Sequence, residues 1–121
     1  MIQKTRVMIY TDKMAETINF WLEEVGAKFV ERLPLPEGFE GKVLRLNDSN
    51  ELAFFPKAFI EKYSPEVADN VPSLMFFVDD FEGYYERIST RGDIFVNGDT
   101  RTFNFSTPDG LYFVFAEAGP Q

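Results

Sequence analysis

The chain has 121 residues, 45% of them hydrophobic, and a formal net charge of −8, a make-up that fits one compact globular domain and excludes a disordered segment. It contains no Cys and no His, which excludes disulfides and thiol catalysis and removes the commonest general base and transition-metal ligand. The negative charge argues against a nucleic-acid partner, and no apolar run reaches the length of a membrane span. The N-terminus lacks the hydrophobic stretch of an export signal, so the cytoplasm is the expected location. Any metal site would rest on carboxylates and neutral oxygens, favouring Mg2+, Ca2+ or Mn2+ over Zn2+, Ni2+ or Cu2+. The acidity is compatible with cationic ligands but does not require them.

Arg6–Tyr10 is a short β-favouring run, followed by Thr11 and Asp12 as capping residues. Met14, Ile18, Trp21 and Val25 then form one stripe of an amphipathic helix, and Gly26 suits a left-handed cap. Trp21 reads as core rather than as a ligand platform. Ala27–Leu33 is a strand broken by Pro34 and Pro36, and Phe39 in the loop beyond is either a pocket lid or a buried staple. Lys42–Leu46 and Glu51–Phe55 are strands joined by the turn Asn47-Asp48-Ser49-Asn50. Pro56–Pro72 breaks the pattern and holds one short helical piece near Ala58–Tyr63, marking a connector.

The second half repeats this plan. Ser73–Val78 is a strand, and Asp79 with Glu82 has capping-box spacing. Phe81, Tyr84, Tyr85 and Ile88 make a helical stripe that Gly92 terminates. Ile94–Val96, Arg101–Phe105 and Leu111–Phe115 are strands, with turns at Asn97-Gly98 and Thr107-Pro108-Asp109-Gly110. Both faces of Leu111–Phe115 are apolar, so this strand is expected to be buried on both sides. Ala116–Gln121 reads as a tail.

Three pairs of positions carry the repeat. Asp12 and Asp80 each close a first strand, Gly26–Val30 matches Gly92–Val96, and the turns at Asn50 and Gly110 each precede an apolar strand. The fold is therefore expected to be α+β, one domain over 1–121 made of tandem βαβββ modules, the first about 1–56 and the second about 72–117, with a connector about 57–71.

This ordered combination, with its Thr-Pro-Asp-Gly hairpin, resembles the vicinal-oxygen-chelate superfamily of glyoxalases, extradiol dioxygenases, and fosfomycin- and bleomycin-resistance proteins. The resemblance covers nearly the whole chain. It implies curved mixed sheets around a central cavity, helices outside, and a homodimer.

Metal-using members of that superfamily place one ligand on the cavity face of each of four strands. Carried over at a fixed step before each aspartate and after each turn, those positions fall on Thr5, Ser73, Phe54 and Val114. Two hydroxyls and two hydrocarbons cannot replace a cation's hydration, so no metal and no cofactor is expected. Glu51, three residues from Phe54, points to the other face.

On the same alignment the cavity face carries Thr5, Val7, Ile9, Leu52, Phe54, Ser73, Met75, Phe77, Tyr112 and Val114, with Arg45 either projecting inward or on the surface. Such an apolar, aromatic lining suits a small-molecule ligand, unless the side chains close the space against one another. The resemblance implies a metal-independent, non-catalytic binding protein that sequesters a cationic or planar, antibiotic-like compound, as in antibiotic resistance. The alternatives are a glyoxalase- or dioxygenase-type enzyme and a structural or regulatory dimer. No pair of residues argues for a metal-free catalytic site.

Overall fold

A computed structural model describes residues Met1–Gly119, which fall into two compact units, Met1–Pro72 and a second beginning at Ser73. The segment expected to be a connector belongs to the first unit, where its helix contacts the first and last strands of the sheet.

In the first unit, β1 (Thr5–Thr11) leads into α1 (Met14–Phe20), which continues as a wider turn over Trp21–Val25. Gly26 ends it at φ 86°, a left-handed conformation that glycine adopts without a Cβ clash. The helix has no side-chain cap: Thr11 Oγ1 accepts from the Lys13 amide instead, and Lys13 is the N-cap. β2 (Lys28–Pro34), β3 (Glu40–Asn47) and β4 (Asn50–Pro56) follow, then α2 (Lys57–Tyr63). The sheet order is β1-β4-β3-β2, with β1 and β4 parallel and the remaining pairs antiparallel.

The second unit repeats this arrangement with β5 (Met75–Val78), α3 (Phe81–Arg87), β6 (Phe95–Asn97), β7 (Thr100–Ser106) and β8 (Tyr112–Glu117) in the order β5-β8-β7-β6. Again the first and last strands pair in parallel. Each unit is thus a βαβββ module, and the chain is α+β with two open four-stranded mixed sheets. Gly98 at φ 65° and Gly110 at φ 83° close the two expected turns.

Three boundary expectations are corrected. The α3 N-cap is Asp80, not Asp79, and its carboxylate accepts the Gly83 amide at 3.3 Å. A Cβ at Gly83 would overlap that carboxylate, so glycine keeps the cap in place. α3 ends at Arg87, well before Gly92, because Ile88 turns extended at φ −78°, ψ 108°. Gly92 instead donates its amide to the Asn104 carbonyl at 2.8 Å. Finally, Ala116 and Glu117 pair with Phe77 and Val78 and so extend β8 rather than begin a tail. Pro120 and Gln121, the last two positions of that expected tail, lie outside the described residues.

Each unit has its own core between helix and sheet. Trp21 meets Phe54 at 6.3 Å between ring centroids, and both are fully buried. In the second unit Phe81 packs edge-on against Phe103 at 5.4 Å, and Phe103, Phe105 and Phe115 form a connected ring cluster. Burial of each such side chain is worth about 1.5–3 kcal/mol.

Candidate functional site

Strand side chains alternate, so each sheet has a face toward its helix and a face away from it. In the first sheet, contact with Trp21 puts Phe54 on the helix side. The register carries Ile9, Leu52 and Val7 there with it, and Thr5 follows by alternation. These five were expected on the cavity face; they instead lie toward α1, with Ile9, Leu52 and Phe54 essentially inaccessible to water. Arg45, opposite Glu51, is on the far face and exposed.

In the second sheet Met75, Phe77, Tyr112 and Val114 lie on the face away from α3. Phe103 and Phe115 pack toward α3, so Val114, one residue before Phe115, points away from it together with its register partner Met75. Phe77 and Tyr112 have the same parity, and Ser73, which precedes β5, is exposed. Met75, Phe77 and Tyr112 are 50%, 65% and 72% exposed. β8 is therefore not buried on both sides, as its two apolar faces suggested: Phe113 and Phe115 are buried and Tyr112 faces water. Phe95, opposite Thr102, adds a further exposed ring to this face, beside Asn104. Within the strands this surface has no charged side chain.

The far face of the first sheet is different and was missed from sequence. Arg6 pairs with Glu51 and Glu51 with Arg45, and Arg45 is opposite Lys28, so one row crosses all four strands. Lys4, two residues before Arg6, reaches the same carboxylate. Glu51 is only 3% exposed and accepts from Arg6 Nε at 3.1 Å, from Arg6 Nη2 at 2.9 Å and from Lys4 Nζ at 3.4 Å. Burial alone would raise its pKa, but the bonds from Arg6 and Lys4 and their charges outweigh that and hold it below the ordinary carboxylate range. The next row holds Met8, Ala53, Val43 and Glu31, and beyond it Tyr10 meets Phe55 edge-on at 6.5 Å. The signal was available in the alternation Lys4, Arg6, Met8, Tyr10.

The one-residue shift also relocates the positions at which metal-using relatives hold their ion. Lys13 caps α1 as Asp80 caps α3, so Arg6 corresponds to Ser73. Met8 pairs with Ala53 as Met75 pairs with Val114, so Ala53 rather than Phe54 corresponds to Val114. Of these four positions only Ser73 carries an oxygen that could donate to a divalent cation, and none carries a carboxylate. The adjacent carboxylate of Glu51 is already engaged by two cations. Among the described residues no three His, Cys, Asp or Glu side chains cluster as metal ligands would.

A pocket of about 480 Å3 opens beside the β2–β3 loop, lined by Arg32, Pro34, Leu35, Gly38, Phe39 and Glu40. None of the expected site residues lines it. Phe39 is half-buried and packs edge-on against Phe59 at 5.6 Å.

Residues 5–115 match the Glyoxalase/Bleomycin resistance protein/Dioxygenase superfamily. The chain belongs to this superfamily. No curated protein matches this superfamily member. Among solved structures it is similar to TnmS3, an antibiotic binding protein from Streptomyces sp. CB03234, at 16% identity and TM-score 0.75, covering 98% of this chain and 96% of that one. It is also similar to a glyoxalase family protein from Enterococcus faecalis, at 23% identity and TM-score 0.69, covering 97% of each chain. Fosfomycin resistance protein FosX from Mesorhizobium loti matches at 15% identity and TM-score 0.66, covering 95% of this superfamily member and 91% of that chain. At such identities these likenesses establish the fold alone. Among the described residues no helix is long and apolar enough to cross a membrane.

Proposed function

We propose that this superfamily member is a metal-independent small-molecule binding protein, with Ser73, Met75, Phe77, Tyr112 and Val114 on its ligand-binding surface. The observation that carries this reading is the exposure of Met75, Phe77 and Tyr112 on one uncharged sheet face. Aromatic side chains left in water on a rigid sheet favour stacking with a planar, largely apolar compound. Metal independence is supported by the donor chemistry at Arg6, Ala53, Ser73 and Val114. The likeness to an antibiotic binding protein makes an antibiotic-like ligand a reasonable class to test first.

Calorimetric titration against planar compounds, with and without a chelator, tests the proposal. Saturable binding without turnover, unchanged by the chelator, is expected. Stoichiometric divalent metal in protein purified without chelator, or product formation from a bound compound, would overturn it.

The same patch favours a homodimer, because a contiguous exposed apolar surface is costly in water and a second copy would cover it. Light scattering reads the mass directly. A strictly monomeric protein at high concentration would count against the dimer but not against ligand binding.

A further inference from the structure

We infer that a second copy of this chain docks on the open edge of β6, the two β6 strands pairing antiparallel about a two-fold axis; this rests on the homodimer reading above and is independent of the ligand. β6 is an edge strand of the second sheet, as β2 is of the first. β2 guards its edge with Lys28, Glu31, Arg32 and Pro34 and with a bulge between Phe29 and Glu31. β6 has none of these devices. Every residue from Arg91 to Asp99 is exposed, and Ile94, Phe95 and Val96 are 40%, 62% and 69% so. α3 packs on β7 and β8 through Phe81, Tyr84 and Tyr85 and leaves Ile94 and Val96 uncovered on the helix side too. The chain already runs beside β7 from Gly92, whose amide reaches the Asn104 carbonyl, so the edge extends from Gly92 to Asn97. A bare apolar edge of this kind is a template for another strand.

The order of residues along the edge selects the occupant and the register. Asn97 and Thr100 close the hairpin, so by alternation the backbone groups of Phe95 and Asn97 face β7 and those of Ile94 and Val96 face away. Setting Phe95 opposite its own counterpart brings Ile94 opposite Val96 of the other copy, and the outward groups meet in hydrogen-bonded pairs. Each apolar residue then faces an apolar one, and the two Phe95 rings meet at the closer, non-hydrogen-bonded position. Asp93 comes opposite Asn97, whose amide can donate to its carboxylate, and Arg91 comes opposite Asp99. The Arg91 guanidinium lies 5.0 Å from the Tyr85 ring centroid, and neither it nor Asp99 has an ion-pair partner among the described residues. Sliding one strand by two residues, to centre Val96, sets Asp93 against Asp99 instead, which is repulsive. The segment thus carries its own complement, as a two-fold contact requires. Phe95 belongs to the exposed patch, so pairing covers one margin of it and leaves Met75, Phe77 and Tyr112 to a ligand. The nine residues from Arg91 to Asp99 fall short of the about 20–30 a side of a standard interface, so the association is weak.

Sedimentation of the full chain from about 10 μM to about 1 mM provides the test, and the mass is expected to rise toward that of a dimer across this range. Val96→Lys puts a charge on the edge and should weaken association at least about tenfold while melting as the parent does. On the parent itself, exchange of the Ile94 and Val96 amides should slow as concentration rises, with the Phe95 amide, already turned to β7, changing least. That measurement reads the edge even where Val96→Lys fails to fold. Arg91→Glu and Asp99→Lys each set like charges at both ends of the pairing and should each associate more weakly than the parent. Mixed in equal amounts, they restore opposite charges at both ends and should associate as the parent does. Association unchanged in Val96→Lys, amide exchange at Ile94 and Val96 indifferent to concentration, or a mixture no better than its components would each overturn the inference. Association that survives Val96→Lys but is lost in Phe77→Ser would place the second copy over the sheet face, overturning the edge and sparing the homodimer. A monomer at the highest concentration would overturn both and leave ligand binding untouched.

Discussion

The two sheets have the same strand order and the same parallel and antiparallel pairings, yet their faces away from the helices share almost no chemistry. The first carries a salt-bridged carboxylate in a row of cations, leading to an aromatic pair. The second is uncharged within its strands and exposes Met75, Phe77, Phe95 and Tyr112. On the helix sides the two agree: both centre on buried hydrocarbon and aromatic side chains. What the repeat keeps is therefore the packing that makes a module fold. The faces away from the helices are where the two copies have diverged.

The largest expected effect tests that contrast on the helix side. Phe54→Ala removes a fully buried ring from against Trp21 and should cost about 3–5 kcal/mol in urea unfolding. Phe115→Ala should cost a similar amount in the second unit, where that ring touches Phe103 and Phe105. A loss below about 1 kcal/mol for Phe54→Ala would mean that the helix side does not carry the core, and the comparison of faces would lose its basis.

An intermediate effect belongs to the charged row. Glu51→Gln leaves Arg6 and Lys4 without their counter-charge and should cost about 1–3 kcal/mol. The sign of its pH dependence follows from the lowered carboxyl pKa. A group whose folded pKa lies below its unfolded one contributes fully above the unfolded value, about 4.3 for Glu, and loses that contribution as pH falls through the folded value. The gap in stability between the parent and Glu51→Gln should thus be widest near neutral pH and narrow on acidification. A gap that stays constant down to strongly acid pH would show that the carboxylate acts by packing alone.

The same region shows how far sequence reasoning reaches. All eight strands and the βαβββ repeat were legible, because turns such as Asn97-Gly98 and alternating patterns fix them locally. The inward face of the first module was not. Asp12 looks equivalent to Asp80, but α1 begins at Met14, two residues on, whereas α3 begins directly after Asp80. A step of one residue exchanges the two faces of a strand. The run Leu52-Ala53-Phe54-Phe55 is apolar throughout and so has no alternation to correct the slip. Only the ring contact between Trp21 and Phe54 decides it.

The smallest effect on stability should accompany a large effect on binding. Tyr112→Ser and Phe77→Ser alter side chains that are 72% and 65% exposed and, on the far face of the second sheet, support no core ring. Exposed substitutions of this kind usually change stability by less than about 0.5 kcal/mol. If the face exists to hold a planar compound, the same variants should weaken the binding of that compound severalfold, since one stacked ring is worth about 0.5–1.5 kcal/mol. If it instead seats a second copy, dimer dissociation should rise and affinity for the compound measured on the monomer should not change. Stability that drops by several kcal/mol would contradict both, because it would make these residues part of the fold. Neutral stability together with neutral binding and an unchanged mass would strip the exposed rings of any role and leave the charged row as the sole asymmetry between the modules.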